Sequence, residues 1–83
     1  RRLYELVEEQ TVAGRYEFCD LYLRCHTISR QHARFTRVNG QYYVEDLTSL
    51  NGTFVNRHRI ESIELQVDDE VQIGKYRMTF LVP

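Results

Sequence analysis

Residues 33–44 read Ala-Arg-Phe-Thr-Arg-Val-Asn-Gly-Gln-Tyr-Tyr-Val, and this stretch decides the fold class. Apolar side chains recur at every second position on both sides of the central Asn39-Gly40, as expected for strands. The pairs that share a face are Ala33 with Phe35 and Tyr42 with Val44. Asn-Gly between two such runs is the strongest short hairpin signal, because both residues accept positive φ. The stretch therefore predicts two antiparallel strands joined by a tight turn.

Two clusters of small hydrogen-bonding residues flank this hairpin at its open end. The first is Ser29-Arg30-Gln31-His32, and the second is Asp46-Leu47-Thr48-Ser49-Leu50-Asn51-Gly52-Thr53. Pairing of the two strands brings both clusters to one end of a sheet, and an isolated Gly14-Arg15 upstream can join them there. Together they offer arginine, hydroxyl and amide groups, which suit a tetrahedral anion on a peptide. The sequence therefore predicts a binding site at this end.

Period-2 alternation of apolar and polar residues continues through most of the remaining chain. Its clearest run is residues 76–82, and turn signals such as Asp68-Asp69 separate one run from the next. Residues 4–10 are ambiguous between helix and strand, and we expect an edge strand followed by a turn there. Many short strands with frequent turns predict an all-β fold, a β-sandwich of two antiparallel sheets with ligand-binding loops at one end. We expect residues 1–83 to form a single domain.

The charge distribution limits the class of partner. The net charge of −1 argues against a non-specific nucleic-acid binder, which normally carries a basic excess. Residues 21–44 nevertheless contain four arginines and no acidic residue, whereas residues 61–70 contain five acidic residues. We interpret the acidic stretch as an ordinary solvated face. Ten of the eleven basic residues are arginines, whose planar guanidinium pairs in a two-pronged way with carboxylate or phosphate.

The chain shows no targeting or membrane signal. No stretch resembles the roughly 20-residue apolar span of a membrane helix, or a signal peptide, so we expect a cytoplasmic protein without a membrane partner. The chain begins with Arg1-Arg2 rather than with Met. We therefore expect residues 1–83 to be a domain excised from a longer protein.

Two cysteines and two histidines invite comparison with a metal site. Cys19, Cys25, His26 and His32 form a Cys-x5-Cys-His-x5-His pattern, whereas zinc sites favour short chelating pairs such as Cys-x2-Cys. A reducing compartment also disfavours a disulfide between the two cysteines. We therefore expect no metal, no other cofactor and no disulfide, with Cys19 as a small buried residue and Cys25 in a loop.

Six short segments resemble, in order and spacing, the forkhead-associated (FHA) domain family, and the resemblance covers about residues 3–82. The segments are Gly14-Arg15, Cys19-Asp20-Leu21, Ile28-Ser29-Arg30-Gln31-His32-Ala33, Val44-Glu45-Asp46-Leu47, Ser49-Leu50-Asn51-Gly52-Thr53-Phe54-Val55-Asn56 and Asp69-Glu70-Val71-Gln72-Ile73-Gly74. The resemblance implies a β-sandwich that recognises phosphothreonine peptides through loops at one end. Residues 71–77 and Arg34-Phe35 look similar to actinobacterial FHA regulators.

The resemblance also implies roles for individual residues. Arg15 matches the arginine that contacts the phosphate, and Ser29 matches the serine that donates its hydroxyl, with its backbone N–H as a further donor. Arg30 occupies the position of a second polar phosphate contact, and Asn51 matches the asparagine that grips the main chain of the target. The residues with an implied loop-supporting role are His32, Gly52 and Thr53.

The chain departs from the family pattern at a few positions. Leu50 stands where many members have Ser or Thr, so one phosphate contact is expected to be absent. Arg57 and Asp69 replace glycines of the family, and we expect both to affect local turns rather than the site. Residues 26–27 lie in a loop that can read the third residue after the phosphothreonine. Because neither is an arginine, we expect no clear preference for an acidic residue there.

We interpret the chain as a non-enzymatic module that binds a phosphothreonine-containing protein or peptide, a substrate of Ser/Thr kinases, and binds neither nucleic acid nor membrane. The alternative is a regulatory protein that docks onto a metabolic enzyme through the same face without phosphate. A hydrolase using Ser29 and His32 lacks any motif such as Gly-x-Ser-x-Gly. A nucleic-acid-binding barrel lacks the positive charge.

Overall fold

The computed structural model describes residues 3–82, and within that range it contains nine β-strands in two sheets. The strands are β1 (Gln10–Gly14), β2 (Leu21–Tyr22), β3 (Ala33–Val38), β4 (Gln41–Asp46), β5 (Thr53–Val55), β6 (His58–Ile60), β7 (Ser62–Glu64), β8 (Glu70–Ile73) and β9 (Tyr76–Thr79). Arg1, Arg2 and Pro83, which the expected domain of residues 1–83 includes, lie outside the described residues. No helix within residues 3–82 is long and apolar enough to cross a membrane.

The two sheets confirm the expected all-β sandwich. One sheet has five strands in the order β2-β1-β3-β4-β7, and the other has four in the order β6-β5-β8-β9. The strand pairs recorded in residues 3–82 are antiparallel except one, because β1 and β2 run parallel with Ala13 opposite Leu21. A parallel pair needs a loop that carries the chain back. Residues 15–20 form that loop, and they are part of the candidate site.

The β3–β4 hairpin is the one predicted from Asn39-Gly40. Asn39 has φ 52° and Gly40 has φ 79°, the pair of positive angles that a tight two-residue turn requires. The register runs from Val38 opposite Gln41 at the turn to Ala33 opposite Asp46 at the open end. Consequently the residues just before Ala33 and just after Asp46 emerge side by side, far from the turn.

The core consists of apolar side chains from both sheets and from the loop between β2 and β3. The first sheet contributes Ala13, Phe35 and Val44, and the second contributes Val55, Val71 and Ile73. Leu23 and Ile28 of the loop are each 1% exposed. Burial of a side chain of this size is worth about 1.5–3 kcal/mol. The loop is therefore anchored at two points, and it positions the polar residues that follow Ile28.

Two expectations about the chain are wrong in the structure. Only Gln10 of residues 4–10 belongs to a strand, because Tyr4 and Leu6 instead pack against the core as separate partly buried side chains. The expected burial of Cys19 is wrong as well. Cys25 is the buried one, although it does lie in a loop as expected, and Cys19 is partly exposed. The sulfur of Cys19 donates to the carbonyl of Arg30, so it lies at the edge of the site rather than in the core.

Candidate functional site

Three loops meet at the open end of the β3–β4 hairpin: the β1–β2 loop (residues 15–20), the β2–β3 loop (residues 23–32) and the β4–β5 loop (residues 47–52). Backbone hydrogen bonds join the first two, since Arg15 N donates to Ser29 O at 3.0 Å and Tyr16 N donates to Arg30 O at 3.1 Å. The structure thus brings together the two polar clusters and the upstream Gly14-Arg15.

Glycine is required at Gly14 by this close approach. A Cβ at that position would overlap the carbonyl oxygen of Arg30 and come within 3.0 Å of the sulfur of Cys19. The obstacle is backbone, which cannot rotate away as the end of a flexible side chain can. The absence of a side chain at Gly14 therefore allows the β1–β2 loop to lie against the residues that follow Ser29.

Ser29 lies between the β2–β3 and β4–β5 loops. Its Oγ accepts a hydrogen bond from Leu50 N at 3.0 Å, which leaves the hydroxyl proton free to be donated to a ligand. Its backbone N–H donates to Nδ1 of His32 at 3.1 Å, so this N–H is not available to a phosphate as the resemblance implied. Leu50 contributes its backbone N–H to this bond, and the residue is 85% exposed.

His32 is fully buried and braces two loops at once. Because Nδ1 accepts from the Ser29 N–H, the neutral ring carries its proton on Nε2, which donates to Gly52 O at 2.8 Å. Both ring nitrogens are therefore engaged with backbone. A general base must reach the proton of the nucleophile with a free nitrogen, and His32 has none for the Ser29 hydroxyl.

Arg15 is held by one edge of its guanidinium. Nε donates to the carbonyl of Ile28 at 2.9 Å, and the side chain is exposed. The two terminal nitrogens remain available, and in an arginine they form the fork that pairs with two oxygens of a phosphate. The bond to Ile28 fixes the position of this fork beside Ser29 without using the donors that a ligand needs.

Arg30 is exposed, and its guanidinium stacks over an aromatic ring. Its guanidinium carbon lies 5.0 Å from the ring centroid of Tyr16, and Tyr16 packs edge-on against Phe18 at 5.3 Å. A cation over an aromatic face is stabilised by about 0.5–1 kcal/mol at an exposed site. Because Arg30 directly follows Ser29 in the chain and is exposed, its N–H groups remain accessible to a ligand.

Asn51 connects the β4–β5 loop to the β2–β3 loop. Its Nδ2 donates to the carbonyl of Thr27 at 2.7 Å, and the side chain is exposed. The side-chain amide also has an oxygen acceptor and a second N–H. These groups can pair with a peptide group of a ligand, as a neighbouring strand would.

The Asp46 carboxylate organises the β4–β5 loop, and we did not single it out from the sequence. It accepts from Ser49 N at 3.0 Å, from Ser49 Oγ at 2.5 Å and from the buried Thr53 Oγ1 at 2.7 Å. Ser49 Oγ in turn accepts from Gly52 N at 2.9 Å. Burial would raise the pKa of Asp46, but the hydrogen bonds from Ser49 and Thr53 lower it below its ordinary value. The Asp-x-x-Ser spacing, typical of a side chain that hydrogen-bonds three residues ahead, was the available signal.

The Asp46 network also holds a strained residue in place. Thr48 has φ 56°, which is unusual for a β-branched side chain. Such a conformation costs about 1–3 kcal/mol and persists only where surrounding contacts determine it. The bonds between Asp46 and Ser49 on either side of Thr48 supply those contacts. Gly52, with φ 90°, completes the loop before β5 begins at Thr53.

The assembled site has fixed donors and no metal-binding constellation. Within residues 3–82 no group of three or more His, Cys, Asp or Glu side chains is placed to hold a metal ion. The groups that face outward are the fork of Arg15, the hydroxyl of Ser29 and the free amide groups of Asn51. This arrangement can bind an anionic group and an adjoining peptide backbone.

The sequence is similar to those of curated bacterial regulators. The oxoglutarate dehydrogenase inhibitor of Corynebacterium jeikeium is 50% identical over 76 residues, covering 92% of this chain and 53% of that protein. The glycogen accumulation regulator GarA of Mycolicibacterium smegmatis is 47% identical over 76 residues, covering 92% of this chain and 48% of that protein. The chain therefore spans about half the length of the curated relatives it matches.

Solved structures with FHA domains or bound phosphopeptides also match the fold of the chain. A structure from a study of phosphothreonine-dependent FHA domain interactions matches with a TM-score of 0.93 at 26% identity, covering 99% of this chain and 85% of that one. Mycobacterium tuberculosis EmbR, in complex with a low-affinity phosphopeptide, matches with a TM-score of 0.86 at 31% identity, covering 88% of this chain and 20% of that one. The model of the FHA domain family matches residues 11–74. On the fold, the loop geometry and these matches, the chain belongs to the forkhead-associated (FHA) domain family.

Proposed function

We propose that this chain is a phosphothreonine-dependent peptide- and protein-binding module that acts in Ser/Thr kinase signalling. One observation carries the proposal. The hydrogen bonds of Arg15 and Ser29 to the protein leave the terminal guanidinium nitrogens and the hydroxyl proton as unused donors where the three loops meet. Charge-assisted bonds from such fixed donors to a phosphate are about twice as strong as neutral ones.

The mechanism divides recognition between phosphate and backbone. Arg15 neutralises the phosphate charge, Ser29 donates its hydroxyl, and Arg30 approaches the phosphate from the Tyr16 ring. Asn51 pairs with the main chain of the target and so orients the bound segment. His32, Gly52 and Thr53 hold the loops, and they contact no ligand.

Selectivity for threonine is expected from its γ-methyl group. A single methyl in an apolar pocket is worth about 1–3 kcal/mol, which distinguishes phosphothreonine from phosphoserine. The aromatic ring of phosphotyrosine places its phosphate far from the peptide backbone. Arg15 could then not bind the phosphate while Asn51 binds the backbone.

We propose binding without catalysis. Both nitrogens of His32 bond to backbone groups, so Ser29 has no activating base from that side chain. Nucleophilic catalysis needs such a base together with an orienting group. We also propose a cytoplasmic location, because the two cysteines are free, as expected in a reducing compartment.

Titration of a phosphothreonine peptide library by fluorescence polarisation tests the proposal, with phosphoserine and unphosphorylated peptides as controls. Ser29→Ala removes one hydrogen bond to a charged group, about 1.5–3 kcal/mol, so affinity should fall about 10- to 150-fold. Arg15→Ala should cost at least as much. The matched controls are the exposed Arg37→Ala and Ser62→Ala, which should leave affinity unchanged. Unchanged phosphopeptide affinity in either Arg15→Ala or Ser29→Ala would show that the site is wrong.

The second candidate is a regulatory protein that docks onto a metabolic enzyme through the same face without phosphate. The names of the relatives favour it, since one is an inhibitor of oxoglutarate dehydrogenase and another a regulator of glycogen accumulation. A pull-down from phosphatase-treated lysate separates the two functions. A partner retained after phosphatase treatment, and lost with Arg15→Ala, supports phosphate-independent docking through this face.

A further inference from the structure

Two open depressions border Arg15 and Asn51 of the proposed binding site, and they meet at one lysine. The first is lined by Arg15, Arg24 and Lys75 among others, and the second by Asn51, Lys75 and Arg77. Neither is lined by an aspartate or a glutamate. A continuous basic surface therefore runs from Arg15 to Asn51. We call the three cations that lie outside the phosphate site, Arg24, Lys75 and Arg77, the basic strip.

The β8–β9 turn, which carries Lys75 of the basic strip, packs directly against the loop that holds the site. Gly74, just before Lys75, has φ 59°, and a Cβ there would collide with the side chain of Ile28 and come within 3.0 Å of Thr27 Oγ1. The carbonyls of Ile28 and Thr27 are the acceptors for Arg15 and Asn51. The β8–β9 turn is thus in contact with the same two residues that orient the ligand-binding side chains.

No salt bridge within residues 3–82 neutralises the charges of the basic strip. The salt bridges found in residues 3–82 are Arg34 with Glu45 and Arg57 with Glu70. Arg24, Lys75 and Arg77 take part in neither, and all three are exposed. An exposed ion pair contributes about 0.2–1 kcal/mol, which corresponds to a factor of about 1.5–5 in affinity. Three such cations beside one site can therefore alter which peptides bind.

We propose that the basic strip recognises aspartate or glutamate side chains of the bound segment on one side of the phosphothreonine. The inference rests on the proposed function, and it assigns a sequence preference that His26 and Thr27 did not suggest. Carboxylates fit better than an extended polyanion, because the net charge of the chain is −1 and residues 61–70 carry five acidic groups. A peptide brings only a few negative charges to the strip and avoids that acidic face.

Fluorescence polarisation with matched peptides tests the preference. The parent peptide has one phosphothreonine in a neutral sequence, and derivatives carry three glutamates before it, three glutamates after it, or a second phosphothreonine in place of the glutamates. An unphosphorylated acidic peptide and a single-stranded RNA are added as further probes. The protein is the wild type, the triple variant Arg24→Gln/Lys75→Gln/Arg77→Gln, and the control Arg37→Gln, which removes an exposed arginine far from the loops.

In wild type, acidic residues on one side should raise affinity about 3- to 20-fold over the parent peptide, with the gain reduced at high salt. The triple variant should lose this gain and bind the parent peptide within about twofold of wild type. The control Arg37→Gln should keep the affinity gain of the acidic peptides.

A gain that persists undiminished in the triple variant would overturn the inference and leave the proposed function standing. Acidic peptides that bind no better than the parent would do the same. A gain given only by the second phosphothreonine, or RNA binding as tight as that of the acidic phosphopeptide, would also overturn it. Failure of wild type to bind any phosphopeptide would instead refute the proposed function, and the inference with it.

Discussion

Replacement of His32 should uncouple the loops of the site and destabilise the whole domain. The ring is fully buried and bonds to the backbone of Ser29 on one side and of Gly52 on the other. His32→Ala leaves both backbone groups without a partner. The change therefore tests whether a side chain that contacts no ligand determines the geometry of the site.

The expected cost follows from the two bonds. A buried polar group left unsatisfied costs about 1–3 kcal/mol. The carbonyl of Gly52 is buried, so its cost lies at the upper end of this range. Water can partly reach the N–H of Ser29, so its cost lies at the lower end. The cavity left by the ring adds on the order of 1 kcal/mol, for a total of about 5 kcal/mol. A domain of this size has a total stability of roughly 4–12 kcal/mol, so the loss amounts to about 40% of the stability or more.

Urea denaturation followed by tyrosine fluorescence measures the change, since the chain has six tyrosines and no tryptophan. His32→Gln keeps an N–H near the position of Nε2 for the Gly52 carbonyl, and it should lose only about half as much stability. Gln31→Ala, an exposed neighbour, should stay within about 0.5 kcal/mol of wild type. A His32→Ala protein within about 1 kcal/mol of wild type would refute the reasoning, because the two buried bonds would then carry no net stability.

Three further changes test the loops and turns. The Asp46 carboxyl has a lowered pKa, so its stabilising contribution is present above the unfolded pKa of about 3.9 and is lost as pH falls through the lower folded pKa. Asp46→Asn should therefore lose less free energy of unfolding than wild type between about pH 6 and about pH 2, and equal losses would contradict the prediction. Arg57 has φ 71°, so Arg57→Gly should raise the free energy of unfolding by about 0.5 kcal/mol, or the melting temperature by about 2–4 °C. Arg57→Ala should give no such gain, and an equal gain would show that strain at this turn is not the cause. Gly14→Ala places a Cβ against the Arg30 carbonyl, so it should cost about 1–3 kcal/mol and weaken phosphopeptide binding. Gly40→Ala has open space around its Cβ, and although its positive φ makes alanine cost some stability, it should leave affinity unchanged. A Gly14→Ala protein that binds normally would contradict the steric argument.

Sequence reasoning was most successful where structure depends on near neighbours. The positive φ angles of Asn39-Gly40 and the alternation around them depend on residues within a few positions of one another. Residues 4–10 were assigned wrongly because an apolar residue can pack singly on a core without any strand partner, and the sequence pattern of the two cases is the same. The parallel pairing of β1 with β2 was also missed, since no local signal reports the direction in which a neighbouring strand runs.

In the polar network of the site, the sequence likewise indicated the residues but not the contacts between them. Ser29, His32 and Asn51 were named from the sequence, but their hydrogen-bond partners were not. Asp46 was missed as the centre of its loop because it lies outside the groups that would touch a ligand.

The sequence by itself determined that a hairpin would carry two polar clusters to one end of a β-sandwich, because turn chemistry and strand period are properties of short segments. Only the tertiary structure decided which donors of those clusters remain free. The hydroxyl proton of Ser29 is available while its N–H is occupied, and the basic strip lies beside the site. The first and the last of these outcomes depend on contacts between segments that are more than 20 residues apart in the chain. The bond that occupies the Ser29 N–H joins residues three apart, but the His32 ring that accepts it is itself held by the carbonyl of Gly52, 20 residues away, so packing rather than a local pattern selects it.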